Sequence, residues 1–159
     1  MCLEQKKYEL LKDDTVNHNG RTLYRIKALI TFGTVVAGEL GGYIETEKNL
    51  DHSGNAWVCG YARVFEDAEV YGDARVFGNA QVRSFAFIYE RKMIFWASNV
   101  GSENGTLTVF NGKDGLIVTR GCFTGTVDEF MERSKQVHDD KTHHEYKLLI
   151  EVAKSRILG

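Results

Sequence analysis

The chain has 159 residues, of which 43% are hydrophobic and 26% charged, with a formal net charge of −2. This length suits one domain or two small ones that share a core, and the weak net charge does not favour binding to nucleic acid or to an anionic membrane. Because no apolar run reaches about 18 residues and residues 1–11 lack the apolar stretch of a signal peptide, we expect a cytoplasmic protein with no membrane partner.

The first 40 residues are predicted to form a small antiparallel sheet. A short extended segment at residues 8–11 is followed by the turn sequence Asn17-His18-Asn19-Gly20 and then by the partly alternating segment 22–30. We expect this N-terminal β cap, residues 1–40, to cover one end of the repeat that follows.

A six-residue repeat dominates the middle of the chain. Alanine recurs every six residues, and a β-branched residue follows each alanine two positions later. The alanines are Ala56, Ala62, Ala68, Ala74, Ala80 and Ala86, and their β-branched partners are Val58, Val64, Val70, Val76, Val82 and Ile88. Fixed short periods are typical of solenoids, so we predict a hexapeptide β-solenoid of about three coils over residues 41–95.

The same frame extends to Ile44, Leu50 and Ile94 when a short insert near His52 is allowed. It predicts the inward-facing stacks Ile44/Val64/Val82, Leu50/Val70/Ile88 and Val58/Val76/Ile94. Alternation along the strands then predicts three outer faces. They carry Trp57, Cys59, Arg75, Phe77, Met93 and Phe95; Tyr43, Glu45, Arg63, Phe65, Gln81 and Arg83; and Asn49, Asp51, Glu69, Tyr71, Phe87 and Tyr89.

Residues 96–159 are predicted to form a ββαα-type domain, a three-stranded sheet with a helical hairpin, so that the fold class is mainly β with a C-terminal α+β part. Strands are expected at residues 95–98, 106–110 and 116–120. Thr126 and Glu129 have the spacing of a capping box, which predicts a helix beginning there. One stripe of this helix is expected to carry Val127, Phe130, Met131, Ser134 and Val137. Apolar residues at helical spacing predict a second helix over residues 142–157.

The sequence contains two candidate anion sites. Arg63 and Arg83 are expected one coil apart on the second face, beside aromatic residues that would suit a phosphate, a nucleotide or a carboxylate. Arg120 precedes the Gly-flanked segment 121–126, whose Gly121, Gly125 and Thr126 could place backbone N–H groups around an anion at the start of the helix. A solvated face and a tight strand-to-helix turn are the simpler interpretations.

Catalytic and metal-binding residues are harder to place. His52 is the one histidine within the repeat, so it is the candidate general base of a hexapeptide acyltransferase, but no long loop beside it would close a cleft. His138, His143 and His144 with Asp139 and Asp140 make a conceivable metal site, although adjacent histidines on a polar turn are usually solvated. We predict no catalytic residue, no metal and no cofactor.

The three cysteines, Cys2, Cys59 and Cys122, are odd in number and lie far apart. This pattern favours reduced, inert thiols over a disulfide framework.

The best candidate contact patch is the third face. Tyr71 and Tyr89 are expected one above the other on adjacent coils, with Phe87 and Glu69 beside them. Aromatic anchors of this kind dominate interface energies. We predict that this face mediates a homo-oligomer or binds a partner protein.

The repeat GNAWVCGYARVFEDAEVYGDARVFGNAQV and the tail motif GCFTGTVDEF together resemble a family of small hexapeptide-bearing proteins encoded by bacterial phages, prophages and mobile elements. The activity of that family is largely unassigned, so the resemblance implies no catalytic residues. It implies an accessory role in a bacterial host cell, such as inhibiting a host defence protein or sequestering its nucleotide signal. We predict a non-enzymatic protein that inhibits a host protein by direct binding. Sequestering a nucleotide signal and acyl transfer are the alternative functions.

Overall fold

A computed structural model describes residues 6–159 of the chain, which form thirteen strands and two α-helices. The strands are β1 (Tyr8–His18), β2 (Arg21–Ala28), β3 (Leu40–Ile44), β4 (Trp57–Val58), β5 (Arg63–Val64), β6 (Glu69–Val70), β7 (Arg75–Val76), β8 (Gln81–Val82), β9 (Phe87–Ile88), β10 (Ile94–Val100), β11 (Gly105–Gly112), β12 (Gly115–Arg120) and β13 (Phe123–Thr126). The helices are α1 (Val127–Val137) and α2 (Asp140–Leu158), and short 3₁₀ turns lie at Glu47–Asn49 and Arg91–Met93.

The predicted fold class, a mainly β protein built on a hexapeptide β-solenoid of about three coils, is wrong. The described residues form several small sheets instead: a five-stranded sheet in the order β1-β2-β3-β5-β8, a four-stranded sheet β10-β11-β12-β13, and two pairs, β4-β7 and β6-β9. The N-terminal strands do not cap a solenoid, because β2 pairs directly with β3 and continues the same sheet into the repeat. The molecule is therefore a set of mixed sheets followed by two helices.

Within the repeat, six strands of two residues each pair in parallel. Ile44, Val64 and Val82 lie in register across β3, β5 and β8. Val58 pairs with Val76, and Val70 pairs with Ile88 and forms an isolated bridge with Leu50. Ile94 does not join the Val58 and Val76 pair as predicted, because it pairs with Phe110 in the antiparallel C-terminal sheet.

The alanines and the β-branched residues of the repeat are buried in one apolar core with Tyr8, Ile26 and Trp57. A small side chain is required where the chain turns a corner, and a β-branched one fills the space between paired strands. The N-terminal segment covers this core from one side, since the ring of Trp57 contacts those of Phe32 and Tyr8. Phe77, predicted on the same face as Trp57, packs instead against Trp96 and remains 47% exposed.

The C-terminal sheet has four antiparallel strands, so the prediction of three strands is wrong. Residues 123–126, expected to be a loop, form β13 and pair with β12. The two C-terminal helices are confirmed, and α1 begins at the predicted capping box of Thr126 and Glu129. Both helices pack on the sheet around a second core built from Leu107, Val109, Val118, Val127, Phe130, Tyr146, Ile150, Ala153 and Ile157.

Candidate functional site

Three aromatic rings form a cluster on the surface of the β6-β9 pair; we call Tyr71, Phe87 and Tyr89 the aromatic face. The Tyr71 and Tyr89 rings stack with centroids 5.3 Å apart and planes inclined by 27°. Phe87 lies 5.0 Å from the Tyr71 ring and 5.7 Å from the Tyr89 ring, so each ring touches the other two. Tyr89 is 37% exposed and the other two are half-buried, which leaves part of each ring open to solvent.

The backbone of the repeat holds these rings together. Phe87 pairs in register with Glu69, and the Tyr71 N–H donates to the carbonyl of Ile88, so Tyr71 and Tyr89 lie next to each other. Gly72 follows with a φ of +64°, and a Cβ at this position would lie 2.6 Å from the carbonyl oxygen of Tyr89. A glycine is therefore needed for the two tyrosines to approach this closely.

A groove of about 420 Å³ runs beside the aromatic face. Its lining includes three carboxylates, those of Glu47, Asp51 and Glu69. It includes one ammonium group, that of Lys48. Lys48 pairs with Asp67 at 2.7 Å, outside this set of acids. The closest cation to Glu69 is Lys113, 3.7 Å away. Glu47 pairs with Lys6 at 3.3 Å, so among residues 6–159 Asp51 is the carboxylate of the groove that has no lysine partner. The groove is consequently a weakly acidic margin of the aromatic face.

The predicted arginine pair of the second face is largely covered. Arg83 is 5% exposed and donates to the carbonyl of Phe123 at 2.9 Å and to that of Gly121 at 3.3 Å. Arg63 lies 2.9 Å from Nδ1 of His18. The pKa of His18 is lowered, mainly by burial and then by the positive charges of Arg63 and Arg83. Both bonds come from Nη2, which thus joins the β12–β13 turn to the repeat, while Nε is buried without a partner among the described residues.

The other predicted anion residues fall into two places. Thr126 caps α1: its N–H donates to Oε1 of Glu129 at 3.0 Å, and its Oγ1 accepts from the Glu129 N–H at 3.1 Å. Because the Glu129 carboxylate occupies this position, Gly125 and Thr126 do not form an open anion cradle. Arg120 and Gly121 instead lie at the β12–β13 turn, where Arg120 lines a cavity that sequence reasoning missed.

His52 has both ring nitrogens engaged. Nδ1 accepts from the Lys7 backbone N–H at 3.0 Å, Nε2 lies 3.0 Å from Oε1 of Glu47, and the ring stacks on Tyr8 at 4.1 Å. These contacts join the N-terminal strand to the repeat.

His138 and His143 contact the same buried hydroxyl. Their Nδ1 atoms lie 2.9 Å and 3.0 Å from Oγ of Ser134. Burial, Arg120 and His143 lower the pKa of His138, while Asp139 raises it. Across the described range 6–159, no group of three or more His, Cys, Asp or Glu side chains is arranged to hold a metal ion.

Cys59 is half-buried and Cys122 is exposed, and both are free thiols. Burial raises the pKa of the Cys59 thiol, which keeps it protonated and unreactive near neutral pH. Cys2 lies outside the described residues.

The cavity that the sequence did not predict lies between the segment after β10, the β12–β13 turn and α1. Several of its lining residues, Phe130, Arg133, Ser134, Val137 and His138, are spaced three and four positions apart. That spacing places these residues on one face of a helix, and it is the feature of the sequence from which this wall of the cavity could have been predicted. Arg120 and Ser102 reach the same cavity from other segments, which no local pattern indicates.

Comparison with protein-family models and with curated proteins gives no match for this chain. Neither helix in residues 6–159 combines the length and the apolar character needed to span a lipid bilayer.

Proposed function

We propose that the protein is a non-enzymatic binding protein whose aromatic face docks onto another protein. The observation that carries this proposal is the contact of three partly exposed rings, Tyr71, Phe87 and Tyr89, at one surface. Tyrosine supplies a large contact area with little loss of side-chain freedom, and clustered aromatic residues carry most of the energy of many interfaces.

The charge around the aromatic face selects the kind of partner. Three carboxylates and one ammonium line the adjacent groove, so it attracts a segment rich in arginine or lysine. An arginine side chain also stacks favourably on tyrosine rings. A second copy of this chain is disfavoured, because a symmetric contact would bring Glu69 and Asp51 of both copies together. The proposed occupant is therefore a basic segment of a different protein.

The non-enzymatic part of the proposal rests on how the candidate base is used. Both ring nitrogens of His52 are occupied by Lys7 and Glu47, and its ring is covered by Tyr8. A general base needs a free nitrogen within reach of its substrate. The resemblance to phage and mobile-element proteins adds the setting: the partner is a bacterial host protein, by preference a defence protein, met in the cytoplasm.

The decisive experiment is a capture from bacterial lysate with matched variants. The wild type is compared with Tyr71→Ala/Tyr89→Ala and with Tyr61→Ala, which removes a tyrosine that is 71% exposed elsewhere in the repeat. We expect the wild type and Tyr61→Ala to retain one host protein that the double variant loses. If the double variant captures the same proteins as the wild type, the aromatic face is not the contact surface.

Titration calorimetry with the captured protein then tests the chemistry of the contact. Affinity should fall between about 50 mM and about 300 mM salt, since the acidic margin is exposed. Glu69→Gln should weaken binding and reduce this salt dependence. Light scattering tests the alternative that the aromatic face binds a second copy of this chain. If the wild type is a dimer and Tyr71→Ala/Tyr89→Ala is a monomer, the aromatic face is a dimer interface and not the site of a different protein.

A further inference from the structure

The unassigned cavity beside α1 is large enough for a small organic molecule. It has a volume of about 590 Å³, within the usual range of ligand sites of roughly 300–1,000 Å³. Its walls come from three segments: residues after β10, residues around the β12–β13 turn, and one face of α1. The first two supply Ser102, Glu103, Arg120, Cys122, Phe123 and Thr124. None of these residues belongs to the aromatic face, so the cavity is independent of the proposed function.

One end of the cavity is positively charged. Arg120 donates through Nε to the hydroxyl of Tyr146 at 2.8 Å, which fixes the direction of the guanidinium group. Its Nη1 lies 3.3 Å from Oε2 of Glu103, whereas its Nη2 is buried and closed to a ligand. Arg133 on α1 lines the same space. The cavity therefore holds two guanidinium groups: that of Arg120, paired with an exposed carboxylate, and that of Arg133, which is exposed on α1.

The rest of the cavity is apolar and aromatic. The rings of Phe123 and Phe130 meet at 5.5 Å in an edge-to-face arrangement, and both line the space together with Val137. Behind them, Phe130 contacts the Tyr146 ring at 5.2 Å, so the wall is backed by a packed core. A packed aromatic wall beside two guanidinium groups favours a ligand with a planar apolar part next to an anionic group.

We infer that this cavity binds a phosphomonoester of a planar aromatic molecule, with Arg120 and Arg133 on the phosphate and Phe123 against the ring. A phosphomonoester carries a charge of about −1.5 to −2 near pH 7 and offers three acceptor oxygens. Two arginines match that charge, and the hydroxyls of Ser102 and Thr124, which also line the cavity, supply further donors. A carboxylate carries one charge and two oxygens, so it would use fewer of these donors.

Without ligand, the carboxylate of Glu103 pairs with the guanidinium group of Arg120. Its side chain is 77% exposed, whereas that of Arg120 is 15% exposed, so the carboxylate can leave toward solvent while the guanidinium stays in place. With Glu103 displaced, two positive charges face the phosphate; with it in place, one of them is neutralised. Glu103 is thus an internal competitor for the ligand, and its removal strengthens binding.

The first test uses adenosine monophosphate, adenosine and inorganic phosphate as probes of ring and phosphate. In ¹H–¹⁵N spectra of the labelled protein, we expect adenosine monophosphate to shift the amide signals of Ser102, Arg120 and Phe123. Adenosine and inorganic phosphate should each bind at least about tenfold more weakly, because each lacks one half of the recognised group. Equal binding of adenosine and adenosine monophosphate, or no shift at these residues up to millimolar ligand, would overturn the inference.

The second test uses variants whose expected effects have opposite signs. Arg133→Ala removes an exposed side chain and should weaken adenosine monophosphate binding about tenfold without affecting the fold. Glu103→Gln should tighten it about two- to fivefold, as expected for the loss of an exposed competing ion pair. Lys135→Ala is the control, since Lys135 lies on α1 but lines a different groove. If Arg133→Ala and Lys135→Ala have the same effect, or Glu103→Gln weakens binding, the phosphate is not held by this pair of arginines.

Discussion

The ammonium group of Lys7 donates to the carbonyl oxygen of Ala56 at 2.6 Å inside the protein, where the side chain is 1% exposed. A longer contact of 3.5 Å reaches the carbonyl of Gly54, and the ammonium lies 4.6 Å from the centre of the Phe32 ring. Lys7 thereby joins the N-terminal segment to the first clear hexad of the repeat. Burial lowers the pKa of Lys7 to about 8, although Asp51 opposes the shift.

This pKa predicts a stability that increases in mildly alkaline solution. Between pH 8 and about 10.5, the unfolded chain keeps a proton on Lys7 that the folded chain has lost, so the free energy of unfolding rises with pH. The rise is at most about 3 kcal/mol over the whole interval. Below pH 8 both states are protonated and this gain is absent.

Urea denaturation of the wild type and of Lys7→Met between pH 7 and pH 10 checks the prediction. Tyr8 and Cys59 have raised pKa values and act in the opposite direction, because the unfolded chain loses their protons first. They are present in both proteins, so the difference between the two stabilities isolates Lys7. We expect this difference to shift in favour of the wild type as the pH rises; a constant difference would contradict the lowered pKa.

Gly72 controls the spacing of the aromatic face. Gly72→Ala should destabilise the protein by about 3 kcal/mol, because a left-handed backbone is combined with a contact between the new methyl group and the Tyr89 carbonyl. Gly20→Ala is the matched control, since Gly20 has a φ of +87° and open space around it; about 1 kcal/mol is expected. Thermal unfolding of both variants measures the difference, and equal losses would show that the close approach is unimportant.

Val70 lies at the centre of the repeat, between Leu50 and Ile88, and is 1% exposed. Val70→Asp should cost more than about 4 kcal/mol and leave no cooperative transition, since a carboxylate there can be neither hydrated nor paired. Val36→Asp serves as the control, because Val36 is 60% exposed. Circular dichroism during urea titration distinguishes the two; a Val70→Asp protein that unfolds at the wild-type midpoint would refute this burial.

The capping box of α1 predicts a smaller effect. Thr126→Ala removes the acceptor for the Glu129 N–H and should cost about 1 kcal/mol. Thr126→Ser keeps the hydroxyl and should retain most of that stability. The comparison is made by chemical denaturation. Equal losses in the two variants would mean that the hydroxyl contributes nothing to the helix.

Part of the fold follows from local patterns in the sequence. The capping box and the apolar spacing of α1 and α2 predicted both helices, because helix formation depends on residues a few positions apart. The stacked approach of Tyr71 and Tyr89 also followed from the period of the repeat. Helical spacing does not predict burial at every position: Val137 lies on the predicted apolar stripe of α1 but is 58% exposed.

The candidate sites were predicted less well. Arg83 was expected on an open face, yet its guanidinium group is buried under the β12–β13 turn and bonded to the carbonyls of Gly121 and Phe123. No local pattern in the repeat indicates that a distant turn will cover it. The pairing of Arg120 with Glu103 and Tyr146 is equally remote along the chain, so the cavity was not predicted.

The sequence by itself determined which residues of the repeat are buried, because alanine and β-branched residues at a fixed period have one compatible environment. The tertiary structure decided how the resulting strands are distributed among sheets. Strands of two residues leave backbone groups that can pair with any neighbouring strand edge. Here β2 pairs with β3, and β10 pairs with β11, so that Ile94 belongs to the C-terminal sheet and not to the repeat. Backbone hydrogen bonding is indifferent to side-chain period, so periodicity alone could not distinguish a solenoid from these mixed sheets.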